Sequence, residues 1–81
     1  MKHQITDIAH CIEQNLNQYF QTLEGEKAQD VYEMVLLRVE KPMLQVVMKQ
    51  CKGNQSKAAE VLGLNRNTLR KKLAQHDLLA D

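Results

Sequence analysis

The sequence predicts an all-α fold of four helices, in which two N-terminal dimerisation helices precede a C-terminal helix-turn-helix. Two observations lead to this fold class. Apolar residues recur at intervals of three and four along most of the 81 residues, as they do on the buried face of a helix. Residues that favour helix ends and N-caps interrupt the pattern at Gly25, Gly53, Asn54, Gly63 and Asn65.

Helix one is predicted from apolar residues whose spacing leaves amides and acidic residues on the opposite side. They are Ile5, Ile8, Ala9, Ile12, Leu16, Tyr19, Phe20 and Leu23. Gly25 follows closely and is a typical residue for a helix end.

Helix two begins near Asp30, an acidic residue suited to a first helical turn, and it carries two apolar stripes. One consists of Val31, Val35, Val39, Met43, Val46 and Val47. The other consists of Leu37, Leu44, Met48 and Cys51, with Tyr32 and Leu36 near its upper end. A helix that is apolar on two faces is buried on both sides, and so short a chain cannot cover both. A homodimer is therefore predicted.

Pro42 lies midway through helix two. Proline disfavours helix at its own position and at the preceding residue, so the alternative is two helices broken at Lys41. The apolar phase nevertheless continues unchanged from Val39 to Met43 and Val46. We predict one long helix, kinked at Pro42.

The stretch QSKAAEVLGLNRNTLRKKL, residues 55–73, has the pattern of a helix-turn-helix. Asn54 is the expected N-cap of a short helix ending at Leu62, and Asn65 caps a last helix that runs to about His76. Gly63 supplies a turn residue that tolerates positive φ. Small residues suit the closest approach of the two helices, and leucines are spaced to fill the angle between them: Ala58 and Ala59, then Leu62, Leu64, Leu69 and Leu73. A plain helical hairpin is the alternative.

The charges are divided unevenly along the chain. Residues 1–48 contain four Lys/Arg and seven Asp/Glu, a net charge of −3. Residues 49–81 contain seven Lys/Arg and three Asp/Glu, a net charge of +4, and the two parts together give the chain's +1. A basic C-terminal third favours double-stranded DNA as the partner.

Donor groups open both predicted C-terminal helices. Arg66 matches the paired acceptors of guanine, and its position in a first turn, which opposes the helix dipole, makes sense beside an anionic partner. The predicted DNA-binding residues are Asn54, Ser56, Lys57, Asn65, Arg66, Asn67, Thr68, Arg70, Lys71 and Lys72. Simpler roles compete with some of them, because Asn65 and Thr68 could serve only as helix caps and the two lysines could be solvated.

The segments VEKPMLQVVM and GNQSKAAEVLGLNRNTLRKKL, with the proline inside a helix, resemble the Fis family (factor for inversion stimulation) of bacterial nucleoid-associated proteins. The resemblance covers residues 31–73 closely and NQYFQTLEG in helix one more loosely. The C-terminal part is shared mainly with the output domains of NtrC-like activators. Those belong to much larger proteins with an ATPase module, for which this chain has no room.

The resemblance implies base contacts from Asn65 and Arg66. It implies DNA-backbone contacts from Asn54, Ser56, Thr68, Arg70, Lys71 and Lys72. It also implies a dimer in which the first two helices of each subunit intertwine, bending of the DNA, and roles in transcription, replication, recombination and chromosome organisation.

Three features depart from typical Fis proteins. The best-known members contact recombinases through an N-terminal arm, whereas this chain begins close to helix one, so recombinase contact is not expected. Ala74 and Gln75 stand where members often have lysines, which predicts a weaker grip on phosphates. Asn67 replaces a common glycine, and it either alters base preference or favours the helix.

No catalytic set is recognisable, and we expect no enzyme activity, no metal site and no cofactor. The three histidines are scattered, and His10 and Cys11 are adjacent, so they point to different helix faces. Single-stranded nucleic acid or RNA would require stacking aromatics. Tyr19, Phe20 and Tyr32 lie in the acidic half and are expected in the core.

The chain is expected to be cytoplasmic and associated with the nucleoid. No apolar run approaches the ~18 residues of a membrane span, and the N-terminal residues mix charges and amides with apolar positions, unlike a signal peptide. Cys11 and Cys51 are expected to be free, buried thiols in a reducing compartment.

Together these features predict a homodimeric, DNA-bending, nucleoid-associated transcriptional regulator that binds the major groove. It is predicted as one domain, 1–81, with dimerisation helices in 1–52 and the helix-turn-helix region in 53–81. Two alternatives remain: an activator output domain that stands alone, and a dimeric module whose C-terminal hairpin binds protein.

Overall fold

The computed structural model of the chain describes residues 6–79, which form four helices and contain no strand. The helices are α1 Thr6–Thr22, α2 Val31–Gln50, α3 Gln55–Leu62 and α4 Arg66–Gln75. The predicted all-α fold and the order of its helices are confirmed. Ile5 and His3 lie outside the described residues. None of the four helices is long and apolar enough to cross a membrane. The chain divides between Val31 and Tyr32 into two compact units.

Helix α1 ends as the glycine predicts. Thr22 Oγ1 donates to the Tyr19 carbonyl at 2.9 Å, and Gly25 (φ 89°) lies in the left-handed region in the turn that follows. The apolar face of α1 remains partly open, since Ile8 and Phe20 are each 52% exposed. The expectation that Phe20 is a core residue is wrong for a single chain, because a helix cannot bury its own apolar face.

Helix α2 continues through Pro42, which confirms one helix rather than two. The kink at this residue stays a prediction. Asp30 (φ 55°) precedes the helix in the left-handed region, so the acidic residue of the first turn is Glu33 instead. Proline removes one backbone hydrogen bond from the ladder, and the packing of α2 beyond it outweighs this loss.

The two faces of α2 differ in burial. Its inner face, defined by Leu44 and Met48 together with Cys51 just after the helix end, packs into the second unit, and Leu44 is fully buried there. Its outer face consists of exposed apolar side chains, namely Tyr32, Leu36, Met43 and Val46. Tyr32 is 79% exposed, so the expectation that it is a core residue is also wrong within one chain.

The second unit has a small core to which three helices contribute. Buried residues from α2, α3 and α4 form it: Leu44, Cys51, Ala58, Ala59, Leu69 and Leu73. The leucines predicted between the crossing helices are found there, with Leu62 packed against the cluster and Leu64 partly buried. Each fully buried leucine contributes about 1.5–3 kcal/mol of transfer free energy. The C-terminal half of α2 is therefore part of the helix-turn-helix core.

The two cysteines are free, and they differ in environment. Cys51 is buried in the second unit, as expected. Cys11 is exposed, so the prediction of a buried thiol is wrong there, because it lies beside Asn15 on the polar side of α1. The Asn15 amide donates to the Cys11 carbonyl at 2.7 Å.

Candidate nucleic-acid interface

The start of α3 is fixed by Asn54, which is confirmed as an N-cap. Its backbone is extended, and its Oδ1 accepts from the Lys57 backbone N–H at 3.1 Å. Just before it, Lys52 (φ 53°) and Gly53 (φ 82°) both have positive φ, in the turn that connects α2 to α3. Ser56 and Lys57 are exposed in the first turn of α3. Unpaired backbone N–H groups at such a helix start suit a phosphate.

The turn between α3 and α4 is built on Gly63, which has the predicted positive φ of 74°. Its N–H donates to the Glu60 carbonyl at 3.2 Å, and the N–H of Leu64 donates to the Ala59 carbonyl at 2.9 Å. This pair of bonds is a Schellman motif. A Cβ at Gly63 would meet nothing within 4 Å, so the backbone conformation, and not space, requires glycine here.

Small residues lie where α3 packs in the core. Ala58 is fully buried and Ala59 is 5% exposed. Side chains this small let neighbouring backbones approach closely, as the sequence predicts. The turn and these alanines together fix where α4 begins relative to α3.

Helix α4 begins after Asn65, which is also confirmed as an N-cap. Its Oδ1 accepts from the backbone N–H of Asn67 at 2.7 Å. The cap therefore uses the carbonyl oxygen of this side chain, while the NH₂ group can donate to a ligand. Asn67 lies within the first turn of α4 and supplies the backbone N–H that holds the cap.

Leucines on one side of α4 leave its basic side exposed. Leu69 and Leu73, four residues apart, are fully buried. Arg66, Asn67, Arg70 and Lys71 are exposed, and their spacing of three and four places them along one face. This face, termed the basic face of α4, carries three cations per chain.

Nine of the ten predicted DNA-binding residues are exposed, and Lys72 is the exception. Lys72 Nζ donates to Glu40 Oε2 on α2 at 2.6 Å, and its side chain is 30% exposed. His76 Nε2 lies 2.8 Å from the other oxygen, Glu40 Oε1. A carboxylate only accepts, so Nε2 of the imidazole carries the proton of this bond.

Glu40 is buried, and its pKa is held below the usual value. The hydrogen bond from Lys72 lowers the pKa most, the bond from His76 comes next, and burial opposes them. The prediction from sequence missed Glu40 and His76. One signal was available, because Glu40 falls between Leu37 and Leu44 at helical spacing, so that an acidic residue interrupts an apolar stripe.

Residues 36–76 match the sequence model of a family described as "Bacterial regulatory protein, Fis family". Two relatives from Neisseria meningitidis, one from serogroup A and one from serogroup B, are described as Fis-like DNA-binding proteins. Each is 63% identical over 79 residues, which is 98% of this chain and all of the relative. The chain belongs to the Fis family. The predicted resemblance is thereby confirmed, and the chain is a regulatory protein and not an enzyme.

Another Fis protein extends the match beyond the Fis-like group. The DNA-binding protein Fis of Actinobacillus succinogenes is 49% identical over 71 residues, which is 88% of this chain and 72% of that protein. The segment matched by the family model runs from the middle of α2 to the end of α4, so it contains Glu40 as well as the whole helix-turn-helix.

Proposed function

We propose that this Fis-family chain is a homodimeric DNA-binding and DNA-bending protein, a nucleoid-associated transcriptional regulator whose helix α4 occupies the major groove. The basic face of α4 carries the DNA-binding part of the proposal. Buried leucines hold that face outward, at the second helix of a helix-turn-helix. The relatives' description as DNA-binding proteins supports it.

Sequence preference is assigned to the first turn of α4. The Arg66 guanidinium is exposed and suits the O6 and N7 acceptors of guanine. The Asn65 carbonyl oxygen accepts the cap bond from Asn67, and its NH₂ group makes no bond to the helix cap. We therefore expect Asn65 to contact a base acceptor through this NH₂ group.

The remaining exposed residues are assigned to the DNA backbone. Ser56 and Lys57 lie at the start of α3, beside the capping residue Asn54. Thr68 lies in the first turn of α4, and Arg70 and Lys71 lie in the next. Contacts of this kind fix the position of the protein on the duplex and carry no sequence information. Lys72, whose ammonium group is bound to Glu40, is the exception within the predicted set.

Homodimerisation is inferred from the outer face of α2. Tyr32, Met43 and Val46 are 79%, 43% and 60% exposed, and burying a large apolar side chain is worth about 1.5–3 kcal/mol. A second copy that covers this face, together with the apolar side chains of α1, would remove that surface from water. The dimerisation role is thus assigned to residues 1–52 and DNA binding to residues 53–81.

Bending is inferred from the short connection between the dimerising helix and the DNA-binding helices. The segment 51–54 alone separates α2 from α3, so two copies paired through α2 would hold their α4 helices close together. Half-sites in straight DNA lie about 34 Å apart. The duplex would then bend or narrow its central minor groove, at a cost of about 1–6 kcal/mol. A·T-rich centres are expected to be preferred, and the exposed Lys49, Lys52 and Lys57 are expected to contact the bent arms.

Two measurements test the proposed function. Sedimentation equilibrium at micromolar concentration is expected to give a dimer, and thermal melting is expected to give a midpoint that rises with protein concentration.

DNA bending is tested with a duplex labelled at both ends, which is expected to show increased energy transfer on binding. Duplexes with A·T-rich centres are expected to bind more tightly than duplexes with G·C-rich centres and identical flanks. A monomer at all concentrations, or straight DNA in the complex, would contradict the proposal. Absence of binding to any duplex would favour the protein-interaction alternative.

A further inference from the structure

Glu40 is the buried charged residue at the contact between α2 and α4, and each of its carboxylate oxygens has a hydrogen-bond partner on α4 or at its end. One carboxylate oxygen accepts from Lys72 Nζ at 2.6 Å, and the other lies 2.8 Å from His76 Nε2. Its side chain is 8% exposed and that of His76 is 5% exposed. Among the described residues, no buried side-chain nitrogen or oxygen lacks a hydrogen-bond partner. The Glu40 carboxylate and its two donors therefore form a fully hydrogen-bonded buried cluster in this unit.

The two donors lie four residues apart, on successive turns at the end of α4. The leucines on the same side of α4 contribute apolar contacts, which are non-directional and tolerate small rotations of a helix. Hydrogen bonds to a charged group are short and directional. A carboxylate that bonds two turns at once therefore fixes the rotation of α4 about its own axis. The rotation of α4 determines the direction in which the Arg66 and Asn67 side chains extend from the second unit.

We propose that Glu40 is a positioning residue of the recognition helix, which holds α4 against α2 through Lys72 and His76 and keeps Lys72 out of the set that contacts phosphate. The inference rests on the proposed DNA-binding function. Lys71 and Lys72 are adjacent but have different roles. Lys71 is exposed on the basic face of α4, whereas the Lys72 charge is compensated by Glu40.

Adjacent lysines provide a matched pair of variants, Lys71→Gln and Lys72→Gln. The logarithm of the binding constant falls linearly with the logarithm of salt concentration, with a slope of about 0.9 per neutralised phosphate. Lys71→Gln is expected to reduce the magnitude of this slope by about 0.9 per subunit. Lys72→Gln is expected to leave the slope unchanged and to lower the ratio of specific to random-sequence affinity at least about fivefold, the low end of what one mismatched base pair costs.

Glu40→Gln provides a second test of the proposal, because it preserves the shape of the side chain and removes its charge. It releases the Lys72 ammonium group, so the salt slope is expected to steepen while the specificity ratio falls. The double variant Glu40→Gln/Lys72→Gln is expected to lose no more specificity than Glu40→Gln alone, because Lys72 acts through Glu40. Circular dichroism and thermal melting show whether each variant is folded. If Glu40→Gln does not fold, the two lysine variants decide the question.

The salt slopes and specificity ratios of these variants separate a positioning role of Glu40 from a merely stabilising one. Equal reductions of the slope by Lys71→Gln and Lys72→Gln, or a specificity ratio that Lys72→Gln leaves unchanged, would overturn the positioning role. A merely stabilising pair would shift the thermal midpoint and leave both the slope and the ratio of the folded protein unchanged. If the unsubstituted protein binds no duplex, the proposed function fails, and this result is separate from the variant comparison.

Discussion

The inner and outer faces of α2 are both apolar, yet only the inner face is closed by the chain itself. Leu44 on the inner face is fully buried, whereas Met43, one residue earlier, is 43% exposed on the outer face. Neighbouring residues of a helix are separated by about 100° around its axis, so they belong to different environments. The difference teaches that the second unit closes its core within one chain, and that the outer face of α2 is the surface on which the proposed dimer would form.

Leu44→Ala is expected to give the largest effect, because it removes a fully buried side chain from the core shared by three helices. The loss of apolar burial and the cavity left behind together cost about 2–5 kcal/mol. Chemical denaturation followed by circular dichroism measures this loss. Val61→Ala is the control, since Val61 is 63% exposed on α3, and a change within about 0.5 kcal/mol is expected. Equal losses for the two variants would show that the inner face is not closed as described.

Val46→Glu is expected to break the outer face while leaving the second unit folded. Val46 is 60% exposed in one chain, so its substitution costs little there. In a dimer it would lose about 1.5–3 kcal/mol of apolar burial per subunit and would bring a charge into the interface. Sedimentation equilibrium is expected to shift towards monomer. Gln45→Glu introduces the same charge at the adjacent exposed position and is expected to remain dimeric. If both variants dimerise equally well, the copies pair through another surface.

The division into inner and outer faces extends to α4, where buried leucines lie opposite the basic face. Arg66→Ala is expected to cost about 1–3 kcal/mol at one guanine of each half-site and little on random DNA. Lys71→Ala is expected to weaken binding to all duplexes alike. Fluorescence anisotropy on a specific and a scrambled duplex at fixed salt separates the two results. Equal losses on both duplexes for Arg66→Ala would remove this residue from a base-reading role.

Periodicity and turn chemistry predicted all four helices, both N-caps and the left-handed Gly63, because these depend on residues close together in the sequence. The two stripes of α2 were also predictable. The sequence could not predict which of the two stripes is covered by the same chain, because that depends on the face of α2 against which α3 and α4 pack. The exposed Phe20 and Tyr32 were misplaced for this reason: an apolar residue on a helix face indicates burial without indicating whether the same chain provides it.

The candidate site shows the same limit. The donors predicted at the starts of α3 and α4 are exposed, because their positions follow from the caps and the buried leucines, and their contacts with DNA stay a prediction. The partnership of Lys72 with Glu40 spans 32 residues of sequence. Nothing in a stretch of basic residues distinguishes a lysine held by a distant carboxylate from one free to contact phosphate. Only the packing of α4 on α2 separates them.

Glu40 is a buried carboxylate one turn before Leu44 of the inner face, and acid is expected to weaken the packing of that face through it. Hydrogen bonds from Lys72, and next from His76, hold the pKa of its carboxyl below the ordinary value, and burial opposes them. The unfolded chain therefore binds the proton more readily than the folded one. The resulting stabilisation is present above the ordinary pKa and is lost as pH falls through the lower folded pKa. Glu40→Gln is expected to be less stable than the unsubstituted protein at pH 7, and the difference is expected to narrow as pH falls below the ordinary carboxyl pKa. Glu60→Gln, at an exposed position of α3, is the control for the loss of one carboxyl group. Denaturation curves at several pH values and one protein concentration measure the difference, and a gap that stays constant from pH 7 to pH 3 would show that the Glu40 carboxyl is not stabilised by its two donors.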